Sequence, residues 1–208
     1  MFKLFFSPGT VALASHISLA ETGADYEAIQ VDFANAAQTK PDYLAVNPKG
    51  RVPALVTDRG ILTETPAILL FIAQSFPDAR LAPLDDIYRL AEMQSFNNYL
   101  CATVHVNHAH RMRGLRWVEE TDTAAIEAMR RKVKSNMNDC LHLIEDKMFE
   151  GPWVMGADYS VADAYLFTVG RWMESDGLAV EDYPTLADHR ARMMDRKAVQ
   201  RAMSEQGM

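Results

Sequence analysis

Asn47-Pro48-Lys49-Gly50-Arg51-Val52-Pro53-Ala54-Leu55-Val56-Thr57-Asp58-Arg59-Gly60-Ile61-Leu62-Thr63-Glu64-Thr65-Pro66 decides how this chain is read. Asn-Pro-Lys-Gly closes whatever precedes it with a turn. Val52–Val56 and Gly60–Leu62 are short apolar runs of strand character. The turn-like Thr57-Asp58-Arg59 between them makes the pair an antiparallel hairpin. A proline inside the first run confines it to an edge or to a special backbone state at the strand start. Thr65-Pro66 then opens a helix that carries Ile68, Leu69, Ile72 and Phe76 on its apolar face. Proline suits a first helical turn, where its missing N–H costs nothing.

Upstream, Phe2-Lys3-Leu4-Phe5-Phe6 reads as a buried strand ended by Ser7-Pro8-Gly9. From Val11, apolar Leu13, Ile17 and Ala20 recur at helical spacing, and Gly23 stops the helix. Tyr26–Asp32 alternates as a second strand, parallel to the first because a helix joins them. Asp42–Val46 is a short helix. The first part therefore reads β-α-β-α-β-β-α. Downstream, Pro77–Pro83 carries two prolines and little periodicity, and long helical patterns follow over 85–115, 122–149, 161–174 and 186–204. The expected architecture is an α/β domain over residues 1–77, a linker at 78–84 and an all-helical domain over 85–208.

Composition narrows the function classes. The chain has 208 residues, 49% hydrophobic and 24% charged, as in an ordinary globular protein with a sizeable core. A net charge of -7 speaks against nucleic acid as a partner. Cys101 and Cys140 lie far apart and form no paired redox or metal motif, which fits a reducing compartment. No secretory pattern opens the chain, and no apolar run reaches the roughly 18–20 residues of a membrane span. A cytoplasmic location without a membrane partner is expected.

Four segments then fall in a telling order: Ser7-Pro8-Gly9-Thr10 with Ser15-His16-Ile17 and Glu21-Thr22-Gly23; Asn47–Leu55; Leu62–Ile68; and Ser160-Val161-Ala162-Asp163-Ala164-Tyr165-Leu166-Phe167. Together they resemble the cytosolic glutathione transferases, most of all the bacterial beta-type branch, over nearly the whole chain. The resemblance implies a thioredoxin-like domain followed by a helical domain, a homodimer, and glutathione as substrate, with no resident cofactor. It implies a detoxifying transferase that joins the glutathione thiolate to small electrophiles.

The resemblance also assigns residues. Val52-Pro53 is similar to the family's cis-proline turn, a bond type found at only about 5–6% of X–Pro positions. Such a turn presents the Val52 main chain to an extended peptide such as glutathione, with Arg51 and Val11 beside it. Glu64 and Thr65 lie where a helix N-terminus favours a carboxylate, Thr65 adding a hydroxyl and Glu64 accepting from an α-ammonium. Asn98 and His105 match residues that reach glutathione or line the cleft in beta-type transferases. His108, Met112 and Leu115, with Trp117, are expected at the pocket for the electrophile. Ser160-Val161-Ala162-Asp163 reads as a capping box with a folding role.

The activating group departs from the family. The beta-type cysteine aligns with Val11, and the tyrosine of other branches aligns near Phe6. No protein thiol is available in this turn for a mixed disulfide. A transferase must lower a thiol pKa of about 8.5 by about two units, which needs roughly 2.7 kcal/mol. Thr10, through its hydroxyl or backbone N–H, is the first candidate, Ser7 the second, and His105 a further donor toward sulfur or a glycyl carboxylate. A metal reading of Cys101, His105 and His108 is disfavoured: Cys101 and His108 are about 10 Å apart along a helix, and no carboxylate helps. The missing side chains keep other readings open, namely a glutathione-binding module without chemistry, or an isomerase or peroxidase on the same scaffold.

Overall fold

The computed structural model describes all 208 residues. Strand β1 (Phe2–Phe6) is followed by α1 (Ala12–Thr22), β2 (Tyr26–Gln30), α2 (Pro41–Leu44), β3 (Ala54–Thr57), β4 (Gly60–Thr63) and α3 (Thr65–Ser75). The α1 crossover makes β1 and β2 parallel, Phe2 opposite Tyr26 and Phe6 opposite Gln30. The tight hairpin makes β3 and β4 antiparallel, Leu55 opposite Leu62, and β3 returns antiparallel to β1, giving sheet order β2-β1-β3-β4. This is the expected β-α-β-α-β-β-α order, with shifts at the element ends: β2 stops at Gln30, not Asp32, α2 spans Pro41–Leu44, not Asp42–Val46, and β3 starts late. The strand begins at Ala54, not Val52, because the Val52–Pro53 bond is cis and turns the chain before the ladder starts.

Helix α1 is buried from Ala12 through Leu19 because it is covered on two sides. It packs on β1 and α3 within its own half, and on α7 (Val161–Gly170) and α9 (Lys197–Glu205) of the other. Gly23 ends it with φ 69°, a left-handed backbone that costs glycine nothing. The far end of the chain holds α1 in place. His16, fully buried, takes Glu205 Oε2 on Nε2 at 2.7 Å and Gln206 Nε2 on Nδ1 at 3.0 Å. Burial pushes the His16 imidazole below its usual range despite Glu205.

The second half is helical: α4 (Ile87–Tyr99), α5 (His105–Ala109), α6 (Thr123–Leu143), α7, α8 (Pro184–Met194) and α9. Before α4, residues 77–79 form one 3-10 turn. Three expected helices are shorter or broken. The 85–115 pattern passes through a π-helical turn at Leu100–Val104 and its α-helical course ends at Ala109, with a short 3-10 turn at Gly114–Arg116. The 161–174 pattern stops at Gly170, and 186–204 divides at Asp195-Arg196 into α8 and α9. Apolar spacing alone does not register a π turn or a brief break, since the apolar face continues across both.

One core joins the two halves: Leu4, Leu55, Ile68 and Leu69 pack in the same cluster as Leu100, Tyr165 and Leu166. Each fully buried leucine or isoleucine there contributes about 1.5–3 kcal/mol. The capping box opens α7 as expected, and buried Asp163 accepts from the N–H groups of Ser160 and Val154, each at 2.8 Å. With His189 Nε2 at 3.1 Å it serves folding and is not part of the wall of the cleft described below.

Candidate functional site

A cleft of about 600 Å³ opens between the sheet half and α5. One end is built by α3. Its first turn has N–H groups with no acceptor inside the helix, and its positive end faces the cleft. Thr65, the first helical residue, is only 4% exposed and lines the cleft with its hydroxyl uncommitted to any protein group. Glu64 before it has φ 74°, a left-handed backbone that costs a glutamate about 1–3 kcal/mol and so marks a constrained site. Its carboxylate accepts from Lys49 Nζ at 2.5 Å, and the same ammonium reaches Thr63 Oγ1 at 2.8 Å.

The middle of the cleft is main chain. Val52 makes no backbone hydrogen bond through either its N–H or its C=O. Its position is held from behind: the Arg51 carbonyl accepts from Tyr43 Oη at 2.7 Å and from Asn47 Nδ2 at 2.6 Å. Asn47 is almost fully buried, and burial pushes the Tyr43 phenol up to about 12. A rigid extended segment with an open donor and acceptor is what a peptide needs to add itself as a short strand.

The other end is the turn between β1 and α1. The Thr10 hydroxyl donates to the Ser7 carbonyl at 2.7 Å and accepts from the Ala12 N–H at 3.4 Å. Its hydrogen is thus spent inside the turn. The Val11 N–H, at the start of α1, has no backbone partner and lies at the cleft wall. Trp172 reaches across from the helical half and donates its indole N–H to the Gly9 carbonyl at 3.1 Å, which pins the turn.

Two imidazoles face this turn. His105 packs beside Trp172, ring centroids 5.0 Å apart. Burial first, then the nearby His108, Arg116 and Arg51, pushes its pKa down to about 4, so it is neutral at pH 7. His108 stacks on Trp172 at 4.3 Å and 15°, and its Nδ1 meets both oxygens of Asp176 at 2.8 and 3.0 Å. The cleft is also basic in a protein of net charge -7. Arg51, Arg113 and Arg116 all line it, and none is paired with a carboxylate. Burial and the other two arginines lower the Arg116 pKa.

Of the residues expected from sequence, Thr10, Val11, Arg51, Val52, Pro53, Glu64, Thr65, His105, His108 and Met112 come together on this cleft. Three do not. Ser7 is buried beneath the turn and contributes a carbonyl, not a hydroxyl. Asn98 is exposed on α4 outside the cleft, because its neighbour Asn97 occupies the buried face. Leu115, 59% exposed, lies in the 3-10 turn away from the cleft, and Trp117 lines it instead. Trp172, Tyr165, Phe33 and Gln38 line the cleft without having been singled out. Trp172 lies two residues past the end of α7, and no local pattern marks it as a cleft residue. No group of three or more His, Cys, Asp or Glu side chains is arranged to hold a metal ion.

Comparison with known proteins agrees with this geometry. Residues 1–74 match the family model for the glutathione S-transferase N-terminal domain. The chain is 36% identical to the glutathione S-transferase GstA of Escherichia coli O157:H7, covering 99% of each. It superposes with a TM-score of 0.95, at 43% identity, on a glutathione transferase homolog from Sulfitobacter with bound glutathione, covering 100% of this chain and 99% of that one. The beta-class glutathione S-transferase of Sphingomonas chungbukensis gives a TM-score of 0.86 at 34% identity, covering 99% and 98%.

Proposed function

The chain belongs to the glutathione S-transferase family, and from that premise we propose that its cleft ionises glutathione and transfers the thiolate to a small electrophilic carbon. The open main chain of Val52 facing the α3 terminus carries this reading. The γ-glutamyl carboxylate sits on the first turn of α3 with the Thr65 hydroxyl. The α-ammonium takes the Glu64 carboxylate that Lys49 otherwise holds. The cysteinyl residue pairs with Val52 as a strand, and Arg51 answers the glycyl carboxylate.

This pose brings the sulfur to the start of α1. The thiolate is stabilised by the Val11 N–H and the positive end of the helix, not by the Thr10 hydroxyl, which the Ser7 carbonyl already holds. A hydrogen bond to a charged group supplies about 1.5–3 kcal/mol and a helix terminus about 0.3–1 kcal/mol more. That sum covers the roughly 2.7 kcal/mol needed for a two-unit drop in thiol pKa. Neutral His105 offers its one ring N–H as a further donor toward the sulfur. Burial by the facing helices then leaves the thiolate poorly hydrated and reactive.

The reading includes a homodimer in the cytoplasm. Ile87 and Tyr88 at the start of α4 are 85% and 73% exposed, and Ile61 on the edge strand β4 is 43% exposed, apolar surface suited to a second copy. No helix is long and apolar enough to cross a membrane. Steady-state assay with glutathione and an aryl halide tests the activity: turnover accompanied by thiolate absorbance at neutral pH is expected. No thiolate and no turnover across a broad electrophile panel contradict it. Light scattering at micromolar concentration tests the dimer, which a monomeric mass removes.

A further inference from the structure

His108 carries more hydrogen-bonding order than a pocket wall needs. The Asp176 carboxylate beneath it has a fully buried side chain, and Arg111 Nε stands 3.2 Å from the same group. A carboxylate only accepts hydrogen bonds, so Nδ1 of His108 carries a proton and Nε2 is left as the free position of the ring. The His108 side chain is 18% exposed, it lines the cleft, and Nε2 has no protein partner. The indole face of Trp172 fixes the ring plane from one side. The groups facing this imidazole are therefore Asp176 and Arg111 from below and His105 one turn away on the same helix, with Arg116 close to His105. A carboxylate that fixes the tautomer and tilt of an imidazole at a reaction cleft is the arrangement of an acid–base dyad.

We propose that His108, oriented by Asp176, is an acid–base residue of the electrophile site, and that the preferred electrophiles are those that develop an oxyanion on attack, α,β-unsaturated carbonyls and epoxides. This rests on the transferase reading above. In the addition, the thiolate sulfur forms a bond to the β-carbon and the C=C π pair moves toward the carbonyl oxygen. With an epoxide the sulfur displaces the C–O bond and its electron pair stays on oxygen. Either oxyanion needs one proton, and ionisation of the thiol has just released one. Nε2 of His108 takes up that proton, directly or through a water molecule, and gives it to the oxyanion, so that neutral imidazole is restored and the charges balance. An aryl halide needs no such proton, because its leaving group departs as halide.

The test compares three electrophiles, an enone, an epoxide and an aryl chloride, with glutathione held constant. The unaltered protein is expected to turn over all three. His108→Gln is expected to lose about 100-fold in kcat/KM on the enone and epoxide, in the range of general acid–base catalysis, and at least tenfold less on the aryl chloride. Asp176→Asn, a positioning change, is expected to lose about tenfold on the enone in kcat with little change in KM. Nitrogen-15 NMR of the imidazoles in unaltered protein gives a readout independent of folding in the variants, with His108 protonated at Nδ1. Equal losses on all three electrophiles, turnover of the aryl chloride alone, or a His108 protonated only at Nε2 would each overturn the proposal. Absence of any turnover, with NMR showing the expected tautomer, instead defeats the transferase reading on which it rests.

Discussion

The two ends of the cleft are made differently. The α3 end offers groups left open: the first turn of the helix, an uncommitted Thr65 hydroxyl and the bare main chain of Val52. The α1 end offers few open side-chain groups of its own. Its one hydroxyl, on Thr10, is satisfied by Ser7 and Ala12, and the free donor is a backbone N–H. What that end lacks is brought from the second half of the chain, as His105, His108 and Trp172. The lesson is a division of labour. Binding is built into the sheet half by backbone geometry, whereas the chemistry depends on helix α5 and α7 docking against the turn.

The comparison breaks most readily at the binding end. Thr65→Val removes one hydrogen bond to a ligand carboxylate, and glutathione affinity by calorimetry is expected to fall about 10–100-fold. If affinity stays within threefold, the carboxylate is not at α3. At the other end, His105→Gln is expected to lower kcat about tenfold while shifting the glutathione Kd by less than threefold. A matching loss in Kd would place His105 in binding and erase the division. Thr10→Val is expected to change kcat less than threefold and to cost about 1 kcal/mol of stability, since the hydroxyl serves only the turn. A large loss of kcat here would restore the hydroxyl as the activating group.

Acid should expose the same asymmetry. The His105 pKa is held down to about 4 in the folded protein against 6.5 for the free group. Between those values the unfolded chain binds more protons, so stability rises with pH across this window and is lost progressively as pH falls through it. Buried His16 is shifted the same way and adds to the loss. Urea midpoints are expected to drop from pH 7 to pH 5, and by less in His105→Gln. An identical drop in both would mean that His105 is not desolvated in the folded state.

Much of the binding end was legible from sequence because it depends on short-range features: three prolines, a hairpin turn and a helix start lie within twenty residues. The reactive end was less legible. A threonine in a strand-to-helix turn satisfies itself as easily as it serves a ligand, and sequence does not say which. Asn98 was assigned by resemblance, which does not reveal that Asn97 takes the buried face of α4, and Leu115 falls in a 3-10 turn that rotates the face an even helix would present. His108 meets an aspartate 68 residues away, and Trp172 meets a glycine carbonyl 163 residues away, contacts that no local pattern announces.

Calorimetric titration with intact glutathione and with cysteinylglycine, which lacks the γ-glutamyl group, tests the central claim most directly. Saturable heat from glutathione and binding at least about 100-fold weaker for the dipeptide, as loss of a charged end group predicts, are expected. Equal affinity for the two, or no heat from either, would contradict it.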